Sequence, residues 1–284
     1  MRIETRDETI LRSITREYRT KIYSKFLAAI DKYQLIKNGD KICVCISGGK
    51  DSMLLAECFR LFHKSSKLKF DVTYLVMNPG YNELNINLIN KNLKTLNINA
   101  EVVNTNIFDI AYIQENSPCY LCARMRRGAL YRLAKERGCN KIALGHHYDD
   151  IIETTLMNLL YSGSFQTMLP KLYSDNFENM ELIRPFYFVR EKDIIAWSKD
   201  NKLKFLNCAC KFTEENYSNK NHSNSKRLFT KQLIKKLSKN HDVDKNIFAS
   251  TNNVIIDKVL AYKKDGKIIS FLDNYDSSKR KQSK

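Results

Sequence analysis

The run Ile42-Cys43-Val44-Cys45-Ile46 passes directly into Ser47-Gly48-Gly49-Lys50-Asp51-Ser52 and then into Met53-Leu54-Leu55-Ala56. An apolar run without alternation fits a strand buried on both faces. Two adjacent glycines allow the chain to turn sharply, with positive φ at little steric cost, before an amphipathic helix begins. A strand of this kind, followed by a helix, fits a sheet covered on both faces. The turn also has the makings of an anion cradle. The glycines let the backbone approach a phosphate, and the orphan N–H groups and positive end of the following helix face it. Lys50 adds a formal cation, and Ser47 and Ser52 add hydroxyl donors. An ordinary turn with a serine cap would account for a lone Gly-Gly pair, but not for the full hexapeptide in this setting.

Alternation of strand and helix patterns extends the argument. Strands are predicted at 41–46, 70–77, 98–104, 141–145 and 181–186, and helices near 52–63, 84–96, 120–137, 149–161 and 191–200. This implies an α/β fold with a doubly wound, mostly parallel sheet and flanking helices. Residues 10–36 read as helical and basic, with Ile22, Phe26, Ile30, Tyr33 and Leu35 at roughly helical spacing. From about 211 the pattern is mostly helical and polar. The predicted organisation is a basic helical region over 1–38, the sheet domain over 39–215, a helical region over 216–262 and a basic tail over 263–284. Ligands of such sheets bind beyond the carboxyl ends of the strands, where the 47–52 loop and Gly145 both fall.

No stretch approaches the ~20 apolar residues of a membrane span. The start, Met1-Arg2-Ile3-Glu4, lacks the apolar core of a secretory signal. A cytoplasmic location with no membrane association is expected, so the eight cysteines are candidate ligands or nucleophiles before they are disulfides. Lys and Arg number 48 against 31 Asp and Glu, a net +17, and residues 211–284 hold 17 basic and 8 acidic side chains. A polyanionic partner is the physical expectation. Lysine enrichment from genome composition competes with it, because Lys, Asn and Ile are abundant throughout.

Two further motifs carry chemistry. Gly145-His146-His147-Tyr148-Asp149-Asp150 follows the strand Lys141-Ile142-Ala143-Leu144. Its imidazoles and carboxylates could hold Mg²⁺, contact ATP or move protons; alternatively, the aspartates only cap the next helix. Asp51 and Asp150 are the preferred metal-side carboxylates. Cys119-Tyr120-Leu121-Cys122 opens a helical stretch containing Arg124, Arg126, Arg127 and Gly128, and Cys208-Ala209-Cys210 lies far downstream. From spacing alone, a redox dithiol, a zinc site and an iron–sulfur site all remain open. Cys43, Cys45, Cys58 and Cys139 fall on strand or helix patterns and read as buried thiols.

Residues 47–52 differ from the common P-loop, whose glycines are wider apart and whose lysine directly precedes Ser or Thr. The hexapeptide resembles the PP-loop of the ATP pyrophosphatase (adenine nucleotide alpha hydrolase-like) superfamily. With Cys119-x-x-Cys122, Arg126-Arg127-Gly128, Gly145 to Asp150, Arg184-Pro185 and Arg190-Glu191-Lys192-Asp193, residues 20–215 resemble the tRNA 2-thiocytidine synthetase family. That resemblance implies ATP, Mg²⁺ and a [4Fe-4S] cluster as cofactors, and ATP contacts at Ser47, Gly48, Gly49, Lys50, Asp51, Ser52, Val76, Gly145 and His146. It implies catalytic roles for Lys50, Asp51 and Asp150, and cluster ligation by Cys119, Cys122 and a later cysteine. The family's late pair is usually Cys-x-x-Cys with the second cysteine as ligand; here the spacing is Cys-x-Cys, and Cys210 is favoured over Cys208. The implied partners are tRNA, with Arg124, Arg126, Arg127 and Lys171 at its phosphates, and a sulfur donor such as a cysteine desulfurase; a homodimer is allowed.

The implied reaction adenylates the O2 of a cytidine, cytidine-32 in the family, and replaces it with sulfur delivered through the cluster. The alternatives are a 2-thiouridine synthetase, a lysidine-type ligase, which needs no cysteine cluster, and a non-catalytic ATP- or cluster-binding module.

Overall fold

The computed structural model of the protein describes residues 4–113, 118–206 and 226–275. Its centre is a six-stranded sheet of order β3-β2-β1-β4-β6-β5. The strands are β1 (Lys41–Ile46), β2 (Asp71–Asn78), β3 (Ala100–Asn104), β4 (Lys141–Ala143), β5 (Lys171–Tyr173) and β6 (Glu181–Ile183). All pairings are parallel except that of the edge strand β5 with β6. The order reverses direction at β1, so β2 and β4 lie on opposite sides of it. That is the switch point where doubly wound sheets open a crevice at their carboxyl edge.

Packing explains the unbroken apolar pattern of β1, in which only Lys41 is exposed. Ile42, Val44 and Ile46 face one core cluster, and Cys43 and Cys45 face the other. The first cluster joins β1 to α1 (Arg6–Thr15), α2 (Ser24–Tyr33), α3 (Lys50–Ser65), α4 (Glu83–Thr95) and α8 (Glu191–Asp200). Phe26, Phe59, Phe186 and Trp197 are fully buried in it. The second lies under α5 (Ile107–Tyr112) and α6 (Pro118–Glu136). A π-helical turn, Arg19–Tyr23, joins α1 to α2 and buries Ile22. At the amino edge of the sheet the buried Lys141 ammonium bridges Asp40 (3.0 Å) and Glu181 (2.8 Å), which fastens β4 to its neighbours far from the carboxyl edge.

Beyond the sheet, α7 (Tyr148–Ser162) is covered by α9 (Lys226–Leu237) and α10 (Val243–Ser250). The stretch read as mostly helical after 211 also contains an antiparallel hairpin, β7 (Ala261–Lys264) with β8 (Lys267–Ser270), and the short α11 (Phe271–Tyr275). Asp265 and Gly266 turn the hairpin at φ 50° and 75°, both left-handed, as a tight two-residue hairpin requires. Abundant lysine had masked the strand pattern. No helix among the described residues is long and apolar enough to cross a membrane.

Candidate active site

The loop after β1 is built by its own residues. Gly48 sits at φ 84°, and a Cβ there would lie 2.6 Å from Ile89 Cγ1, so only glycine fits. Ser52 Oγ accepts from the Ser47 amide (3.1 Å) and donates to the Gly49 carbonyl (3.0 Å), tying the loop to the first turn of α3. The Tyr81 hydroxyl donates to the Ser47 carbonyl at 3.2 Å. Gly145, after β4, approaches the same turn: a Cβ there would lie 3.0 Å from the Asp51 carbonyl carbon and 3.1 Å from the Ser52 nitrogen. The ends of β1 and β4 thus meet backbone to backbone at the switch point.

Charge is concentrated around this junction. Lys50 Nζ lies 3.1 Å from Asp51 Oδ2 and 3.2 Å from Glu191 Oε1 at the start of α8. Burial would lower the Lys50 ammonium pKa, but the two carboxylates outweigh it and raise it. Burial likewise opposes ionisation of Glu191, yet Lys231 and Lys50 bring its carboxyl down to about 2. Asp51 Oδ1 is buried without a hydrogen-bond partner, 3.8 Å from His147 Nε2. An orphaned carboxylate oxygen beside the phosphate loop, with Asp150 on the same cavity, is a donor set that fits a hard cation such as Mg²⁺.

The two aspartates of the second motif separate in space. Asp149 accepts from the Glu191 amide (2.6 Å) and Arg190 Nε (3.2 Å), and so joins α7 to α8. Asp150 closes a capping box with His147: the His147 amide donates to Asp150 Oδ2 at 2.9 Å, and the Asp150 amide donates to His147 Nδ1 at 3.4 Å. It also faces the cavity. Capping and a place at the site therefore coexist in one residue. Burial opposes ionisation of Asp150, but His147 and Arg227 outweigh it and lower its pKa. His146 is pushed down to about 4, chiefly by burial, so it is neutral at physiological pH.

A cavity of about 440 Å³ opens at this junction. Ser47, Asp51, Ser52, Gly145, His146 and Asp150 line it together with Ala123, Arg126, Arg127 and Arg184. Arg126 and Arg127, read from the sequence as tRNA phosphate contacts, thus belong to the lining of the central cavity. Arg124 is exposed on α6, and Lys171 donates to the Gln34 carbonyl at 3.1 Å. The Val76 side chain is fully buried in the first core cluster; its neighbour Met77 is the β2 side chain on the cavity.

Four participants were not singled out as site residues from the sequence. Glu191 and Arg184 lay in stretches with a family likeness but no stated role. Arg227 and Lys231 are one helical turn apart on α9, indistinguishable by type from the many other basic residues of that region. Arg227 reaches Asp150 and, at 3.0 Å, Glu153, while Lys231 reaches Glu191.

Cys119 and Cys122 lie three residues apart near the start of α6. Cys122 is buried in the second cluster, one residue from the cavity-lining Ala123. Cysteine thiolates are soft donors suited to iron or zinc. Cys208 and Cys210 lie outside the described residues, as does the Cys119 side chain, and no group of three potential metal ligands occurs among the described residues. Cys43, Cys45, Cys58 and Cys139 are reduced, buried thiols of the core.

Comparison with known proteins gives a consistent picture. The chain matches the PP-loop domain family over residues 18–237. It is 34% identical over 239 residues to the tRNA-cytidine(32) 2-sulfurtransferase of Geotalea uraniireducens (strain Rf4), covering 83% of this chain and 92% of that one. It is also 34% identical over 255 residues to tRNA-cytidine(32) 2-sulfurtransferase 1 of Francisella tularensis subsp. tularensis (strain WY96-3418), covering 87% and 90% respectively. Among solved structures, the U34-tRNA thiolase NcsA from Methanococcus maripaludis with its [4Fe-4S] cluster aligns with a TM-score of 0.62 at 21% identity, over 81% of this chain and 76% of that one. That likeness is one of fold.

Proposed function

This chain belongs to the PP-loop family of tRNA-cytidine(32) 2-sulfurtransferases, and on that premise we propose that it uses ATP to replace the O2 of a tRNA cytidine, cytidine-32, with sulfur. The observation that carries the reading is the shared cavity: the Ser47–Ser52 loop and the α6 residues just past Cys122 face the same space. In this reading residues 39–215 carry the chemistry, 1–38 and 216–262 flank it, and 263–284 form a basic end. The enzyme works in the cytoplasm with a desulfurase-type sulfur donor, and a homodimer is compatible with it.

Oxide is a poor leaving group, so the base oxygen must be activated. The Ser47–Ser52 amides, the α3 amino end and Lys50 receive the β- and γ-phosphates as pyrophosphate departs. Asp51 and Asp150 would hold Mg²⁺, whose chemistry is to neutralise charge developing on the phosphates. Gly145, by lacking a side chain, lets the end of β4 pack directly against the Asp51–Ser52 backbone and so holds the loop in place. His146 is neutral and can accept a proton or hydrogen bond at physiological pH. Cys119, Cys122 and Cys210, with Cys208 as the alternative third ligand, would hold a [4Fe-4S] cluster, whose chemistry is to present the incoming sulfur. The target base must leave its stack to enter the cavity. Arg124 and Lys171 are assigned to tRNA phosphates outside it, and Arg126 and Arg127 to phosphates at its mouth.

The test is anaerobic purification followed by an absorption spectrum and iron and sulfide analysis, with nucleoside analysis of tRNA from cells lacking the protein. A brown protein with labile sulfide and loss of 2-thiocytidine is expected. A colourless zinc protein would refute the cluster, and unchanged 2-thiocytidine would refute the substrate.

A further inference from the structure

Arg184 follows β6 and is only 8% exposed, yet no carboxylate among the described residues lies within ion-pair distance of it. Its described hydrogen-bond acceptors are both neutral: Nη1 donates to the Leu169 carbonyl and Nε to His146 Nδ1 at 3.4 Å. Burial and the nearby Arg127 lower its pKa to about 10, which leaves it charged at neutral pH. A buried cation with neutral partners is costly to keep. Its neighbours on the cavity wall add to the imbalance, because Arg126 Nε is buried without a partner and Arg127 also faces the cavity. The cavity lining therefore brings the Asp51 and Asp150 carboxylates and three guanidinium groups to one space.

We propose that Arg184 is a catalytic residue that binds the α-phosphate of the nucleotide through the guanidinium face it turns to the cavity. The inference rests on the reading above, in which the Ser47–Ser52 loop takes the β- and γ-phosphates. As the base O2 forms its bond to the α-phosphorus, the bond from that phosphorus to the bridging oxygen breaks, and its electron pair leaves with pyrophosphate. The non-bridging oxygens of the α-phosphate gather charge in that step, and a guanidinium fixed in a low-dielectric cavity stabilises it. Depth favours this phosphate over one of the polynucleotide backbone. Arg127 is exposed, Arg126 is half-buried and Arg184 is buried, so Arg184 is the one of the three that a bulky polynucleotide backbone reaches least readily.

The experiment compares binding of adenosine and AMP, which differ by the α-phosphate alone, to the whole protein by calorimetry. Arg184→Gln is expected to weaken AMP about tenfold or more while leaving adenosine within about twofold. Arg184→Lys keeps the charge but loses the fork; it should lose about three- to tenfold for AMP, and it carries the test if the glutamine variant does not fold. Lys50→Gln should weaken ATP and spare AMP. An unchanged AMP-to-adenosine ratio in the folded Arg184 variants, with Lys50→Gln still weakening ATP, would overturn the Arg184 assignment alone. ATP binding indifferent to Lys50→Gln would overturn the underlying site. If the Arg184 variants weaken tRNA but not AMP, the phosphate belongs to the polynucleotide and the proposal fails.

Discussion

Single backbone positions decide whether this site exists. Gly48 is required twice over, by its left-handed φ and by the 2.6 Å approach that a Cβ would make to Ile89. Gly48→Ala should cost about 2 kcal/mol or more in urea unfolding, through strain and overpacking together. Gly145→Ala is a different case, because its Cβ would meet the Asp51–Ser52 backbone rather than a side chain. There the loop itself must shift, so ATP affinity should fall about tenfold or more with a smaller loss of unfolding free energy. Gly48 was legible in the sequence, since a turn that needs positive φ writes glycine into the chain. The reason for Gly145 was not, because the contact joins two segments that only the sheet brings together.

Helix α9 shows how an element can belong to a site without announcing it. It buries Thr230 and Ile234 against the rest of the protein, a narrow footing, and places Arg227 on Asp150 and Glu153 and Lys231 on Glu191, beside the candidate site. Arg227→Ala removes the cation that separates Asp150 from Glu153. Amides of α9 should then exchange faster by roughly 1 kcal/mol of local opening, while those of β1 and β4 stay protected. A second case joins α3 to α1. Glu57 is fully buried, 3.1 Å from Arg60, which in turn lies 3.6 Å from Asp7. Burial, resisted by Arg60, raises the Glu57 carboxyl from 4.5 to about 8. The folded state therefore holds this proton more tightly than the unfolded chain does. The associated stability is present below pH ~4.5 and is lost as pH rises toward 8. Denaturant titrations should show that decline, and Glu57→Gln should flatten it. Strands β1, β2, β3, β4 and β6 and helices α3, α4, α6, α7 and α8 were readable from apolar pattern, whereas the three-residue edge strand β5 and the short α5 were too brief to show one. The β7–β8 hairpin was missed although Asp265-Gly266 is a hairpin signal, because lysines at both strands masked the alternation on which a strand reading depends.

At the scale of the whole molecule, a net charge of +17 leads to the expectation of a polyanionic partner but does not say which cations would meet it. The fold sorts them. Arg124 is exposed on α6, whereas Arg184 is buried and Arg126 half-buried in the cavity lining. Only phosphates that shed condensed counterions on binding contribute to the salt dependence of tRNA affinity, at roughly 0.9 per contact for duplex and 0.7 for single strands. A surface arginine beside the tRNA backbone should therefore reduce the slope of log K against log salt by about one when replaced. An arginine that meets a nucleotide phosphate inside the cavity should leave the slope unchanged and act on turnover. Arg124→Ala is expected to flatten the slope with little effect on single-turnover thiolation at saturating tRNA. Arg184→Gln is expected to do the reverse, and filter binding at several salt concentrations beside single-turnover assays separates the two. If both variants flattened the slope equally, the cavity would be an extension of the tRNA surface rather than a chamber for the activated nucleotide, and the division of the charge between binding and chemistry would fall.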